Sequence, residues 1–308
     1  MSNLDTLQVD DSIQLERQGG ILTLWLNRPE SRNAMSLNMV NAIQQIFAHI
    51  AEDTSIRAVI LRGKGGHFCA GGDIKDMAGL RVEAANAGSL QPYIDFNRRF
   101  GAMIEQVDQA PQTVVAILEG AVLGGGFGLA CVSDVAISRD NAQFGLPETG
   151  LGVLPAQIAP FVVKRIGLTQ ARRLALLGLR FNGETALKIS VVHEVASDEA
   201  ALEQKLAETI QQIKRAAPLA SRTTKALLHR TLNEPLDTLL DAAAQQFAQA
   251  VGGAEVRKAR WPLFKNVCQL GQWMSSDQQS TALPLRKSNQ QSTALQLRKS
   301  DQQGEMML

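Results

Sequence analysis

The sequence predicts an α/β fold built from repeated strand–turn–helix units, and three observations predict it. Apolar runs of strand length, Ala58-Val59-Ile60-Leu61 and Thr113 to Leu118, each lead through a glycine-rich turn into a segment with helical or mixed composition. Hydrophobic residues make up 45% of the 308-residue chain, enough for a sizeable core. Strand patterns fill the first two thirds, while the chain after Asp198 keeps a helical pattern to about Ala250.

Taken in order, Ser12 to Arg17 and Ile21 to Leu26 are predicted strands around the turn at Gly19-Gly20. A polar loop, Asn27 to Ala34, follows. Ser36 is a suitable N-cap for a helix from Leu37 to Glu52, with apolar residues at Val40, Ile43, Phe47 and Ile50. After the strand at Ala58 the chain turns through Gly63 to Gly66 into Phe68-Cys69-Ala70-Gly71-Gly72-Asp73-Ile74. Met77 to Gln91 mixes Ala, Gly and charge, and is expected to be a flexible segment over a pocket. Asp95 to Asp108 is a helix stopped by Ala110-Pro111. The strand at Thr113 then runs into Gly124-Gly125-Gly126, and an Ala/Leu helix follows. Val135 to Ser138 and Val191 to Val195 are further strands. Ala156 to Ile166, Thr169 to Leu177 and Gly183 to Lys188 are helices. The expected organisation is a core over residues 1–197, a helical region over 198–258, and an atypical tail over 259–308 whose Gln/Ser/Lys repeats predict disorder.

The bulk numbers exclude more than they assign. A net charge of +1 gives no general argument for a nucleic-acid or anionic-membrane partner. The three cysteines, Cys69, Cys131 and Cys268, form no close pair, so neither a disulfide framework nor a zinc site is indicated. Met1 to Asp11 is polar and acidic, unlike a signal peptide, and no uncharged apolar run is long enough for a bilayer. The expected location is the cytoplasm.

Two glycine turns stand out, one ending at Gly72 and one at Gly125. A strand–glycine turn–helix start aims free backbone N–H groups at one point, and the helix N-terminus adds partial positive charge. Such a site suits an oxygen that becomes an anion during reaction; a plain packing turn has the same local sequence. The glycines do not follow the dinucleotide fingerprint, and the Gly-Lys-Ser/Thr of a phosphate loop is absent. Glu148, flanked by Leu146-Pro147 and Gly150-Leu151, is the best acid/base candidate, since burial would raise its pKa. A solvated or salt-bridged loop glutamate is the alternative.

Several motifs in order resemble the crotonase, or enoyl-CoA hydratase/isomerase, superfamily. They are Asn27-Arg28-Pro29 with Arg32-Asn33-Ala34-Met35, Phe68 to Lys75, Gly120 to Gly128, Cys131 to Asp134, and Phe144 to Gly152. The resemblance covers about Ile13 to Ala250 and implies a spiral of ββα units with a helical C-terminal region used in homotrimers, commonly paired into hexamers. It implies that Gly72 and Gly125 supply the oxyanion-hole N–H donors. Of the family's two acidic positions, Glu148 matches the second, and Gly128 stands at the first. It further implies that Arg32, Ala34, Ala70, Asp73 and Ile74 border the path of coenzyme A, which is part of the substrate; no prosthetic group or metal is implied. Glu119, where relatives usually have Asn, is expected to be a structural hydrogen-bonding residue.

Phe127-Gly128-Leu129 with Leu154 to Val163 is similar to bacterial hydratases of branched glutaconyl-CoA thioesters. This implies hydration of isohexenylglutaconyl-CoA, from acyclic terpene degradation, or of 3-methylglutaconyl-CoA. A Δ3-Δ2-enoyl-CoA isomerase, and a non-catalytic CoA- or RNA-binding protein on the same fold, are the alternatives. One departure is local. Relatives end in Phe-x-x-Lys-Arg-x-Pro-x-Trp, which Arg257 to Trp273 lacks. Codons allowed for Ala259 to Val267, read one base out of frame, can spell Gly-Thr-Leu-Ala-Phe-Val-Gln-Lys-Arg. The tail from about Ala259 is therefore expected to be a frameshift product.

Overall fold

The first strand pair forms where alternation is clearest. β1 (Ile13–Gln18) turns through Gly19-Gly20 and runs antiparallel to β2 (Ile21–Leu26). In a computed structural model that describes residues 7–258, the elements that follow are α1 (Leu37–Ile50), β3 (Ala58–Gly63), α2 (Ile74–Ala87), α3 (Gln91–Asp108), β4 (Thr113–Leu118), β5 (Ala121–Leu123) and α4 (Gly125–Val132). Next come β6 (Val135–Arg139), β7 (Gln143–Gly145), α5 (Ala159–Leu177), β8 (Arg180–Phe181), α6 (Gly183–Lys188) and β9 (Glu194–Ala196). Four helices close the described chain: α7 (Glu199–Arg215), α8 (Pro218–Arg230), α9 (Leu236–Gly252) and α10 (Ala254–Lys258). The repetitive tail and its proposed reading frame lie outside the described residues.

Six strands make one sheet in the order β1-β2-β3-β4-β6-β9, parallel from β2 onward. β3 is buried along its whole length, as a parallel strand covered on both faces must be. One face packs Leu22, Leu24, Val59, Leu61, Val114 and Ala116 into the main core. The other face packs Ile60, Val115, Ile117 and Ile137 against Leu202 and Leu206 of α7. A second sheet, β5-β7-β8, is reached when the chain leaves β4 at Gly120, with φ +51°. A Cβ there would stand 2.3 Å from both the Gly66 carbonyl oxygen and His67 Nδ1, so only glycine allows the crossing. The units β4-β5-α4 and β6-β7-α5 repeat one path, strand in the large sheet, strand in the small one, then helix.

Three expectations change. Met77 to Gln91 is largely helical: Asp73 caps the start of α2 by accepting from Lys75 N at 2.7 Å, and Gly88 ends it at φ +57°. Only Ala84 of α2 is buried, so the helix carries no amphipathic signature for the sequence to display. The last strand is Glu194–Ala196, and Val191 and Val192 are buried in the bend before it. The predicted helices around Gly167 form one element, Ala159–Leu177, broken at that glycine (φ +73°, ψ +160°).

Candidate active site

The two glycine turns meet through Cys69. Its N–H donates to Ala121 O at 2.8 Å, and Leu123 N–H donates to Cys69 O at 2.9 Å, so the first turn runs alongside β5. Phe68 N–H donates to Glu119 O at 2.7 Å. A Cβ at Gly126 would lie 2.6 Å from Cys69 O, so the close approach of the two turns requires a glycine there. The Gly71 carbonyl accepts from Met35 N at 2.8 Å, and Asp73 N donates to Met35 O at 3.0 Å. Among the described residues, neither the Gly72 nor the Gly125 N–H has an acceptor. Gly125 opens α4, so its amide also carries the partial positive charge of a helix start.

Glu148 stands against the second turn at Gly124, which the first turn passes at Gly71. A Cβ placed on Gly124, which has φ +50°, would be 3.0 Å from Glu148 Oε1 and 3.7 Å from Gly71 Cα. Glu148 begins a single 3-10 turn, Glu148–Leu151, whose Thr149 hydroxyl donates to Ala175 O of α5 at 2.7 Å. Glu148 Oε2 is shut off from solvent and has no partner among the described residues. Burial pushes its pKa above the usual carboxylate range, and a hydrogen bond to its own backbone offsets only part of this. The surroundings are apolar. A Cβ on Gly125 would meet Phe100 Cζ at 2.8 Å and Met35 Cε at 3.5 Å. At Gly128 a Cβ would meet Ile158 Cγ2 at 2.4 Å and Ile104 Cδ1 at 3.6 Å. Ile158 thus fills the space a second carboxylate on α4 would need. A pair of free amides beside one proton-holding carboxyl group can polarise a carbonyl and move a proton next to it.

The loop from Arg28 to Ala34 is fastened beside the first turn. Ala70 N donates to Arg32 O at 3.0 Å, which joins two of the expected residues through their backbones. Arg28, within the Asn27-Arg28-Pro29 motif, anchors the arrangement. It pairs with Asp73 at 2.6 Å, donates to Ala34 O at 2.6 Å, and its backbone N–H reaches Asn33 Oδ1 at 2.8 Å. Fully buried Asn33 in turn donates to the carbonyls of Lys64 and His67, at 2.9 and 2.6 Å. Burial alone would raise the pKa of Asp73. The Lys75 amide and the Arg28 guanidinium together outweigh it and hold the carboxyl below the usual range. Arg32 and Ile74 are exposed, Ala34 and Ala70 half-buried. The backbone of Glu119 borders the first turn, but its side chain points to the α7 side of the large sheet. There it accepts from Arg62 Nε at 2.9 Å, and Arg62 also binds Glu199 and Glu203.

The sequence signals for Phe100 and Ile158 were weak, since each is one apolar residue in a helical or loop pattern. The signal for Cys69 was its place before a double glycine. Among the described residues no cluster of three or more His, Cys, Asp or Glu is placed to hold a metal ion, and no helix is long and apolar enough to cross a membrane.

The enoyl-CoA hydratase/isomerase family profile matches residues 16–262. The enoyl-CoA hydratase ACTT6 of Alternaria alternata is 30% identical over 257 residues, covering 83% of this chain and 82% of its own length. Carnitinyl-CoA dehydratase of Shigella flexneri is 30% identical over 230 residues, covering 74% and 84%. Among solved structures, Pseudomonas aeruginosa AtuE is 59% identical, with TM-score 0.77 over 79% of this chain and 93% of that one. An enoyl-CoA hydratase/isomerase from Marinobacter aquaeolei is 54% identical, with TM-score 0.76 and coverage of 79% and 92%. With this likeness extending through both glycine turns and the Glu148 loop, the chain belongs to the enoyl-CoA hydratase/isomerase, or crotonase, family.

Proposed function

We propose that the protein adds water across the α,β double bond of a branched acyl-CoA thioester, isohexenylglutaconyl-CoA or 3-methylglutaconyl-CoA, as a hydro-lyase. Coenzyme A is part of the substrate, and the chemistry needs no prosthetic group. The observation that carries the proposal is the unpartnered Glu148 carboxyl group set against the second of two adjoining glycine turns with free amides. The thioester oxygen accepts from the N–H groups of Gly72 and Gly125. Glu148, ionised, takes a proton from water as the new C–O bond forms at the β-carbon. The pair of electrons from the double bond becomes an enolate, its charge held by the two amides. The same carboxyl group then returns its proton to the α-carbon. An oxyanion donor of this kind is worth about 3 kcal/mol of barrier.

CoA lies along Arg32, Ala34, Ala70, Asp73 and Ile74 in this proposal, with the Arg28–Asp73 pair keeping that path in shape. The working unit is a homotrimer or a dimer of trimers in the cytoplasm. One observation favours a second reading. With Gly128 where a second carboxylate would stand, a lone Glu148 also suits a Δ3-Δ2-enoyl-CoA isomerase that shuttles one proton between carbons. Ultraviolet absorbance separates the two, since hydration consumes the conjugated thioester and isomerisation creates it. Turnover is measured on isohexenylglutaconyl-CoA, 3-methylglutaconyl-CoA and crotonyl-CoA. Hydration of the branched substrates at least tenfold faster than of crotonyl-CoA is expected. Equal rates on all three, or a full rate in Glu148→Gln, overturn the assignment.

A further inference from the structure

We propose that His67 is a positioning residue for the reaction: its imidazole Nδ1 keeps the two glycine turns in register where the backbone cannot. This rests on the reading of the Gly72 and Gly125 amides as donors to a thioester oxygen. A short parallel ladder joins the turns. Cys69 N donates to Ala121 O at 2.8 Å, and Leu123 N donates to Cys69 O at 2.9 Å. Carried back two residues, the parallel pattern would give Ala121 N the His67 carbonyl as its acceptor. That carbonyl is already taken. It accepts from Asn33 Nδ2 at 2.6 Å, and Phe68 N, in place of His67 N, donates to Glu119 O at 2.7 Å. The ladder slips by one residue there, which would leave the amide of buried Ala121 without a backbone acceptor. The imidazole supplies the missing one: Ala121 N donates to His67 Nδ1 at 3.1 Å. An Nδ1 that accepts leaves the proton of a neutral ring on Nε2.

The bond matters because β5 is only three residues long and runs straight into Gly124 and Gly125. Its other edge belongs to β7: Gln143 N donates to Gly120 O at 2.7 Å, and Gly124 N donates to Gly145 O at 3.1 Å. The spacing between the Gly72 and Gly125 amides is therefore set by the Cys69 bonds and the imidazole. A strand this short has no further rungs to absorb a shift. The ring also lies tight over the crossing at Gly120, where a Cβ would stand 3.0 Å from His67 Cε1. Through Asn33 the His67 carbonyl fastens the Arg28 to Ala34 loop, while the ring fastens the second turn. His193 makes the same kind of bond elsewhere. Its Nδ1 accepts from the N–H of buried Ala136 at 2.9 Å, on β6 and outside both turns. That pair is the control for a merely structural histidine.

The test uses the full chain and an unreactive saturated thioester, butyryl-CoA labelled with carbon-13 at its carbonyl. Difference infrared spectroscopy reads the C=O stretch, which moves to lower frequency when the two amides polarise it. Wild type is expected to show that shift. His67→Asn places an oxygen where Nδ1 stands and should keep it. His67→Gln places its oxygen near the Nε2 position and His67→Phe has none, so both should lose most of it. In hydration of 3-methylglutaconyl-CoA, Gln and Phe should lower kcat about 10²-fold, as a misplaced reacting group does, with KM within about threefold of wild type. Asn should keep kcat within about threefold. His193→Phe should lower Tm while leaving the shift and kcat in place. Should His67→Phe fail to fold, the contrast of Asn with Gln decides. The role of His67 is overturned if Gln keeps the wild-type shift, if Asn loses it, or if His193→Phe loses it too. A wild type without any shift overturns the reading of the amides and this role with it. A wild type with the shift but no hydration overturns the proposed reaction alone, and the infrared contrast among the variants still decides the role of His67.

Discussion

The environment of Glu148 disfavours its charged form and so costs stability at neutral pH. Its carboxyl group is half-buried, one oxygen has no partner among the described residues, and burial raises its pKa. A raised folded-state pKa means that the folded chain binds the proton more tightly than the unfolded chain does. Stability from this group is thus largest at low pH and falls as pH rises from the unfolded carboxyl value through the folded one. Glu148→Gln removes that loss. It should raise Tm at pH 7 to 8, with the gain shrinking as the pH is lowered below the ordinary carboxylate range; thermal melts across pH 4 to 8 test this. The same substitution should lower kcat by about 10²- to 10⁴-fold, the usual range for a lost general acid–base. In wild type, the acid limb of kcat/KM for hydration should lie above the ordinary glutamate value, because the base must be ionised. A variant that is more stable yet equally active would separate Glu148 from the chemistry.

The turns are held in position by the elements around them, and the fastening residues were the hardest to find in the sequence. The strands β1 to β4, helix α1 and both glycine turns were legible, because each carries a hydrophobic period or a run of glycines. Strands β5, β7 and β8 were not, since two or three residues beside glycine show no alternation. Arg28, Asp73 and Asn33 were visible as polar loop residues, but their pairing is made by the fold and leaves no local pattern. Asp73 has little access to water, though it lies only shallowly beneath the surface. Its lowered pKa gives stability that is present above the unfolded carboxyl value and lost as pH falls through the folded one. Arg28→Met should lower stability by about 2 kcal/mol, typical of a hydrogen bond to a charged group. It should also weaken CoA affinity more than it changes kcat; urea melts and a KM-against-kcat comparison check both. On α4, Gly128→Glu alone drives its Cβ into Ile158 Cγ2. Overpacking of that kind costs about 1–3 kcal/mol. With Ile158→Ala alongside, the carboxylate gains room, and the pair should recover stability and acquire crotonyl-CoA hydration. If the single variant is as stable as wild type, Ile158 is not what closes that position.

At the scale of the molecule, the last helices divide their faces between the core and an open side. α8 is tied inward: Arg222 donates to the carbonyls of Ala51 and Asp53 at 3.1 and 2.6 Å, and Lys225 binds Asp134 at 2.7 Å. α9 buries a single residue, Leu239. Its other large apolar side chains, Leu236, Leu240, Phe247 and Val251, recur at spacings of four, seven and four and form one exposed stripe, with Phe247 72% accessible. A stripe of this kind on α9 is explained if another copy covers it, which is the assembly proposed above. Each such side chain gains about 1.5–3 kcal/mol on full burial, so four of them can hold subunits together without any ion pair. Phe247→Glu puts a charge at the most exposed of the four. In sedimentation velocity at micromolar concentration, wild type should run as a trimer or larger, and Phe247→Glu should shift toward monomer while keeping its helical circular dichroism. Sedimentation of the wild-type chain as a monomer would mean that the stripe has no partner of its own kind.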